Sequence, residues 1–454
     1  MLDQIQYQGD LILNKHVMDN SCGEGAFLLE VVKRYVQIAK KNGLSSATIK
    51  TQLERYIHGI EIDSKTHQTC LAHLNGFLAT EQIFDVQWDI QCLNALTCEG
   101  YHHQMDYVVG NPPYIRIHEL HQQGISLEQF TFCQKGMVDS YLAFYELGLM
   151  MLNPTGKLIY IAPKSWLQSK AGDVMRKTLV SEQLLAHIID LGHFQPFKAT
   201  TYPNIVCLEK THQQTMFQFS QFDSMSYGIQ SSVRLSYEAI QIHGKFYLGQ
   251  SDFLPIFKDI LSRTYDNPTV VVRNGMTTNC DEVFFHHDIP KNYTIPMLKA
   301  SKGIWHPTFF PYDENGTPLP LEVLFQNEEV KRFLLTHESR LKQRDLASED
   351  EWYLFGRNQG LKDVSKHRFA INTIVKSVET LRLIPVAPEE GLYAGLYLLT
   401  EKDENSLLQA FKHPYFLLFL ETIGRYRSGG YYTYSSKEMS QYLNYYFEIL
   451  AQKE

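Results

Sequence analysis

Asp19-Asn20-Ser21-Cys22-Gly23-Glu24-Gly25-Ala26-Phe27-Leu28 joins a short strand-like segment, residues 15–18, to an amphipathic helix. Phe27, Val31, Tyr35 and Ile38 recur at helical spacing on that helix. Strand, glycine turn and helix, in that order, open a nucleotide-binding half of an α/β domain. The turn departs from the dinucleotide pattern G-x-G-x-x-G, because Leu28 stands at the third glycine position. An acid, Asp19, lies four positions before the first glycine. Such a turn suits a ligand with a positive centre and an amino-acid tail.

Three more strand signals follow. Tyr56-Ile57-His58-Gly59-Ile60-Glu61-Ile62-Asp63 reads as a strand ending in acids. Residues 83–88 read as another, ending at Asp89. Tyr107-Val108-Val109-Gly110 is an apolar run of buried-strand type, and Asn111-Pro112-Pro113-Tyr114 comes directly after it. Two prolines fix two φ angles and remove two N–H donors. Proline also holds the residue before it in an extended conformation. Asn111 therefore sits on a stiff, non-helical turn. Four strands end, in order, at Asp19, Glu61, Asp89 and Asn111, and ligands of open α/β sheets bind at the carboxyl ends of strands.

Together these segments resemble the S-adenosylmethionine-dependent DNA adenine-N6 methyltransferases. The cofactor motif precedes the catalytic motif and a further domain follows both, as in the gamma-class, TaqI-like enzymes of restriction–modification systems. Asp139-Ser140-Tyr141-Leu142-Ala143-Phe144-Tyr145, the strand and loop of residues 156–167, and the hairpin of residues 188–208 extend the resemblance. It covers roughly residues 11–210 and is looser in the C-terminal part. The implied fold is α/β: a doubly wound, mostly parallel, Rossmann-like sheet, followed by a mixed α+β target-recognition domain. The expected domains are 1–212, catalytic, and 213–454, DNA-binding.

The resemblance also implies site residues. Asn111, Pro112, Pro113 and Tyr114 form the catalytic turn. The Asn111 side-chain oxygen and the Pro112 carbonyl accept the two N–H bonds of the target amino group, and Tyr114 stacks on the base. Phe197 covers its other face or edge, with Phe194 the alternative ring three residues away. Asp19, Cys22, Gly23 and Gly25 surround the amino-acid part of S-adenosylmethionine. Glu61 and Ile62 meet its ribose, Asp89 its adenine amino group, and Asn111 lies beside the methyl. Phe144 packs on the cofactor side. The partner is double-stranded DNA, and the target base is flipped out of the stack to be reached.

Composition sets bounds on these expectations. A chain of 454 residues favours two domains or more. No apolar run reaches the length of a membrane span, and no signal peptide is evident. Seven cysteines without a C-x-x-C pair point to reduced thiols and a cytoplasmic setting. No Cys/His spacing reads as a metal site, and His102-His103 and His286-His287 read as surface pairs. The net charge of −8 is unlike a usual DNA-binding footprint. Three windows are nevertheless basic: residues 331–344, 357–382 and 425–437, the last interleaved with tyrosines around Gly429-Gly430. Basic residues among tyrosines suit phosphate contact and stacking.

Two departures from the family pattern carry expectations. Asn20 replaces the proline that usually follows the first acid, a tolerable change. Only 18 residues precede Asp19, and residues 1–10 do not resemble the family's Thr-Pro-containing segment. That predicts weakened cofactor binding, and an inactive, shortened copy is one alternative. Methylation of protein glutamine or RNA bases is another. Roughly 240 residues after position 212 argue against it. No nuclease signature of paired acids and lysine is evident, so a cognate endonuclease is expected as a separate protein.

Overall fold

The computed structural model describes residues 1–122, 124–197, 201–345 and 348–452. Two compact units divide the chain, Met1–Leu254 and Pro255–Glu454.

The first unit is built on one nine-stranded sheet. Its strands are β1 (Val17–Asp19), β2 (Ile57–Glu61), β3 (Asp89–Cys92), β4 (Met105–Gly110), β5 (Leu152–Pro163), β6 (Leu185–Asp190), β7 (Pro203–Glu209), β8 (Met216–Asp223) and β9 (Gly228–Ser236). The spatial order is β3-β2-β1-β4-β5-β7-β6-β8-β9. Strands β3, β2, β1, β4 and β5 run parallel, and β7 is antiparallel to both β5 and β6. Helices α1 (Ala26–Lys41), α2 (Ser46–Tyr56) and α3 (Ser64–Thr80) connect the first strands, while α4 (Ile117–Gln122), α5 (Tyr141–Met151) and α6 (Asp173–Glu182) follow β4 and β5.

Side chains alternate across a strand, so the central strands feed two layers. Val17 and Val109 join the core that holds Leu28, Val32 and Val36 of α1 and Leu53 of α2. Their neighbours Met18 and Val108 join the opposite core with Tyr145 and Leu149 of α5 and Leu179 of α6. A strand buried on both faces reads as a continuous apolar run, which is why Val108-Val109 carries no polar alternation. On α1 the fully buried face is Leu28, Val31, Val32, Tyr35, Val36 and Ala39. Phe27 and Ile38, expected on that face, are half-buried at its edge.

Two boundaries differ from expectation. Residues 83–88 form no strand, because Gln82 and Asp85 take left-handed φ values of 58° and 57° and break the extended path. Ile83 and Val86 bury their side chains from an irregular segment instead. The strand starts at Asp89. The sheet also continues past residue 212. Strand β8 pairs with β6 in the register His187↔Gln218, and the compact unit ends at Leu254. Residues 211–232, polar and rich in Gln and Ser, look like a boundary in sequence because these outer strands keep a solvated face while Phe217 and Phe219 are buried.

The second unit is mixed α+β. Val271–Asn274, Leu396–Leu399, Arg368–Ile371 and Leu383–Val386 form a four-stranded antiparallel sheet. Two three-stranded sheets accompany it. One pairs Ile304–Phe309 with Thr294–Lys299 and Gly391–Tyr393. The other pairs Ile374–Val375 with Tyr431–Thr433 and Tyr426–Arg427. Among the described residues, no helix is long and apolar enough to cross a membrane.

Candidate active site

After β1 the chain winds toward β2, and after β4 it winds toward β5, so the carboxyl ends of these two adjacent strands open a crevice. Asp19 ends β1 with a side chain that is almost wholly buried. Burial pushes its carboxyl up to about 7, the Ser21 N–H at 3.2 Å pulls against that rise, and the neighbouring charge of Glu61 adds to it. The turn beyond is set by Gly25, which sits at φ 84°, where a Cβ would lie 2.6 Å from Cys70 Sγ. Gly25 also starts α1, so the first-turn N–H groups of a 16-residue helix face the crevice. Glu61 ends β2 and closes the turn. One carboxylate oxygen accepts from the Gly23 N–H at 2.9 Å, the other from the Asp63 N–H at 2.9 Å. The Cys22 side chain is buried against Cys70, so this residue can meet a ligand only through its backbone.

A cavity of about 210 Å³ lies here, lined among others by Ser21, Glu61, Ile62, Asn94, Asn111 and Phe144. The donor set fits a nucleoside carrying a cationic tail. Glu61 offers carboxylate oxygens for a vicinal diol, and Asp19 lies behind the lining residues Asn20 and Ser21. The Asn94 amide has donor and acceptor for an adenine edge, and Ile62, Leu96 and Phe144 supply apolar faces.

At β4 the chain leaves the sheet as Asn111-Pro112-Pro113-Tyr114. Gly110 must lack a side chain, since a Cβ would lie 2.8 Å from Asp19 Oδ1. Ser140, buried ahead of α5, clamps the turn from beneath. Its hydroxyl donates to the Pro113 carbonyl at 2.5 Å and accepts from the Ile115 N–H at 3.0 Å, while its own N–H donates to Ile115 O at 2.8 Å. The Tyr114 hydroxyl lies between Asn111 Oδ1 and the Ile161 carbonyl, 3.1 Å from the latter. Burial raises the Tyr114 phenol above its usual pKa and keeps it protonated. The Phe197 ring stands edge to face with Tyr114, centroids 6.5 Å apart. Phe194 instead packs on Phe222 and Tyr227, at 5.2 and 5.9 Å.

Asp89 does not reach this site. It pairs with His58 at the start of the parallel β2–β3 ladder, whereas Glu61 pairs with Cys92. Its carboxylate takes His58 Nδ1 at 2.6 Å, the Tyr101 hydroxyl at 2.8 Å and the Gln91 amide at 2.7 Å, and His58 Nε2 meets His16 Nδ1 at 2.8 Å. The His58 hydrogen bond above all holds the Asp89 carboxyl down to about 2. The polar residue at the carboxyl end of β3 is Asn94. Asp89→Asn is therefore expected to lower unfolding free energy at pH 7 by about 1–2 kcal/mol, with affinity for S-adenosylmethionine unchanged. The folded carboxyl titrates below its ordinary value of 3.8. Its stabilisation is thus present above that pH and fades as pH falls toward 2, so variant and wild-type urea midpoints should converge in acid. A tenfold affinity loss with an unchanged midpoint would put Asp89 back at the ligand.

Sequence reasoning missed Ser140 and Asn94 as site residues. Ser140 had been quoted only as the opening of a helix. Asn94 follows a short strand whose outer residues are exposed. In the second unit, His286, His287 and Asp288 bring potential metal-ligand atoms within 4.8 Å of one another, and two of the three are exposed.

Comparison with known proteins agrees with the geometry. Residues 26–197 match the family described as Eco57I restriction-modification methylase. The chain is similar to the type II restriction enzyme and methyltransferase RM.Eco57I of Escherichia coli, 23% identical over 453 aligned residues that cover 78% of this chain and 45% of that protein. It is 27% identical to the type II methyltransferase M.XhoI of Xanthomonas vasicola over 223 residues, covering 46% and 40%. With the type II methyltransferase M.BstVI of Geobacillus stearothermophilus it shares 22% over 408 residues, covering 78% and 71%. The chain thus spans less than half the length of the first two relatives. Its fold is like that of the type IIL restriction-modification enzyme MmeI, solved in complex with DNA. The TM-score is 0.57 at 14% identity, over 93% of this chain and 61% of that one.

Proposed function

We propose that this chain, similar over its first unit to the methylases of restriction–modification systems, transfers a methyl group from S-adenosylmethionine to the N6 amino group of an adenine flipped out of duplex DNA. One observation carries the reading. An amide oxygen (Asn111 Oδ1) and a proline carbonyl (Pro112) occupy one rigid turn at the end of β4, flanked by two aromatic rings and bordering the nucleoside-shaped cavity at β1 and β2.

An adenine amino group is a poor nucleophile because its lone pair is delocalised into the ring. Asn111 Oδ1 and the Pro112 carbonyl each accept one N–H bond, which draws the nitrogen toward tetrahedral geometry and frees the lone pair. Proline suits that place, since its carbonyl is its one backbone hydrogen-bonding group. When bound, S-adenosylmethionine supplies an electrophilic methyl group on a sulfonium. Asp19 and the Gly23–Gly25 turn would hold its amino-acid end, Glu61 and Ile62 its ribose, and Asn94 its adenine edge. The Tyr114 hydroxyl, tied inward between Asn111 and Ile161, fixes the direction of the Asn111 amide. With Phe197 at 71° to Tyr114, a flipped base stacks on one ring and meets the edge of the other. Neither acceptor is a strong base, so the amine proton leaves to water as the C–N bond forms and the C–S bond breaks. Orientation and electrostatics carry the rate. The second unit is the recognition domain.

The test is single-molecule sequencing of DNA from cells expressing this chain. N6-methyladenine confined to one short motif is the expected result. Labelled methyl entering protein or RNA in place of DNA would replace the reading.

A further inference from the structure

The second unit contains many cations, and several are held within the fold. On the helix Glu328–Lys342, Lys331 meets Glu328, Arg340 meets Glu282 and Lys342 meets Glu338. Arg344 donates to the carbonyls of Leu341, Thr278 and Trp352. Buried Asp363 is shared by Arg273 at 2.5 Å and Lys366 at 2.9 Å. Arg368 is wholly buried, with its guanidinium on the carbonyls of Lys366 and Glu390. Arg425 is held by both oxygens of Glu438, at 2.7 and 2.9 Å. The basic windows read from the sequence are thus partly held within the fold, while Arg332, Arg357, Lys362 and Lys437 stay exposed and meet no carboxylate among the described residues.

Four exposed cations gather at one place. Lys302, Lys376, Arg382 and Arg427 meet no carboxylate among the described residues. Arg382 lines a concavity of about 490 Å³ with Ser301, Thr373, Ile374, Glu379 and Tyr431, and the other three stand beside lining residues: Lys302 next to Ser301, Lys376 two positions beyond Ile374, and Arg427 paired with Tyr431. Lys302 is on the turn between Thr294–Lys299 and Ile304–Phe309, and Arg382 ties that turn in place by donating to the Ser301 carbonyl at 2.8 Å. Lys376 follows the strand Ile374–Val375, whose partner strand Tyr431–Thr433 pairs in turn with Arg427.

The walls are preset. Asn372 donates to the carbonyls of Ile374 and Thr380, at 2.7 and 3.1 Å, and accepts from the Arg382 N–H at 2.7 Å. Thr380 Oγ1 accepts from the N–H groups of Lys376 and Ser377, at 2.8 and 3.0 Å. The Tyr434 hydroxyl donates to the Asn372 carbonyl at 2.5 Å. The loop between Asn372 and Arg382 is therefore cross-braced from inside while its outer side chains face solvent, and little conformational entropy remains to be lost on binding.

We propose that this concavity is where the second unit grips duplex DNA, with Lys302, Lys376, Arg382 and Arg427 on backbone phosphates and Ser301, Thr373 and Tyr431 facing the groove edge between them. The inference rests on the DNA-methyltransferase reading and adds the location of the contact. Four cations against the single lining carboxylate Glu379, around a polar floor, match a polyanion whose groove presents hydrogen-bonding edges. Two other concavities among the described residues of this unit carry two carboxylates each. One is lined by Glu322 and Asp350 with Lys342, the other by Glu401 and Asp403 with Lys366 and Lys402.

The experiment measures binding of a fluorescein-labelled 30-base-pair duplex of mixed sequence to the full chain, by anisotropy across a salt series. Three proteins are compared: wild type, the triple variant Lys302→Gln/Lys376→Gln/Arg427→Gln, and the control Arg340→Gln/Lys342→Gln. All three triple-variant sites are exposed, and melting curves check that the fold is kept. Each phosphate contact contributes about 0.9 to the slope of log affinity against log salt. The triple variant should lose nearly three contacts' worth of slope and about 10²-fold in affinity near 0.1 M salt, with the control close to wild type. A triple variant that binds like wild type overturns this location and leaves the methyltransferase reading standing. A wild-type chain that ignores the duplex but binds labelled poly-glutamate with a salt-dependent slope overturns both.

Discussion

Asn111→Ala should lower the rate of methyl transfer by about 10²–10³-fold or more, with affinity for S-adenosylmethionine changed by less than about threefold. The acceptor at this position acts on the amino group only as its nitrogen becomes nucleophilic, so its loss belongs to the transition state and not to ground-state binding. A preorganised hydrogen-bonding group aimed at developing charge is typically worth about 3–4 kcal/mol. The confounding possibility is a collapsed turn. Two prolines and the Ser140 clamp hold the backbone independently of the Asn111 side chain, so thermal stability should stay close to wild type. Removing the side chain also frees the Tyr114 hydroxyl to donate to Ile161 alone. Single-turnover rates on methylatable duplex, with calorimetric cofactor titration alongside, separate the two effects. A wild-type rate in Asn111→Ala would remove the turn from the chemistry.

What was legible in the sequence follows from how tightly chemistry constrains each segment. The glycine turn reads clearly because Gly25 tolerates no side chain against Cys70 and has a left-handed φ. The Asn111 turn reads clearly because two prolines admit few conformations. The alternation of strand and helix made the central parallel strands legible, since strands buried on both faces are apolar throughout, while their spatial order came from the structure. Strand β3 was misplaced for the opposite reason. It is short, its outer residues are exposed, and the apolar stretch just before it, with Ile83 and Val86, has the stronger strand signal while forming irregular core. With the strand read early, the resemblance fell on Asp89, whereas the polar residue that lines the cavity beyond β3 is Asn94. Ser140 was invisible because a serine ahead of a helix is ordinary, and only the folded chain brings it under Pro113. Likewise Phe194 and Phe197 are equivalent in sequence, and their packing partners alone distinguish them. The basic windows were informative only in part, because charge pairing is a tertiary property: Lys376, Arg382 and Arg427 stay exposed, but others do not. Arg368 and Arg344, counted as candidates for phosphate, spend their donors inside the fold.

Glu61→Ala should weaken binding of S-adenosylmethionine by about 10²-fold, with the transfer rate at saturating cofactor reduced far less. Two losses combine. A charge-assisted hydrogen bond to a ligand hydroxyl contributes about 1.5–3 kcal/mol, and Glu61 is the one carboxylate at the carboxyl end of β2 that lines the cavity. The same carboxylate braces the Gly23 and Asp63 N–H groups, so its removal loosens the glycine turn at the amino-acid end as well. Glu61→Gln separates the parts. Its single amide oxygen can brace one N–H and its amide nitrogen donates, so it should fall between wild type and alanine. Loss of the Glu61 charge also relieves Asp19, whose carboxyl stands at about 7 partly through that repulsion, and Asp19 should then ionise at lower pH. A cation arriving beside Asp19 favours the same ionised form, so wild-type affinity should rise with pH through neutrality, and that rise should start at lower pH in Glu61→Gln. If Glu61→Ala binds the cofactor as tightly as wild type while Asp89→Asn does not, the nucleoside lies along the outer edge of β3 and the crevice between β1 and β4 serves another ligand.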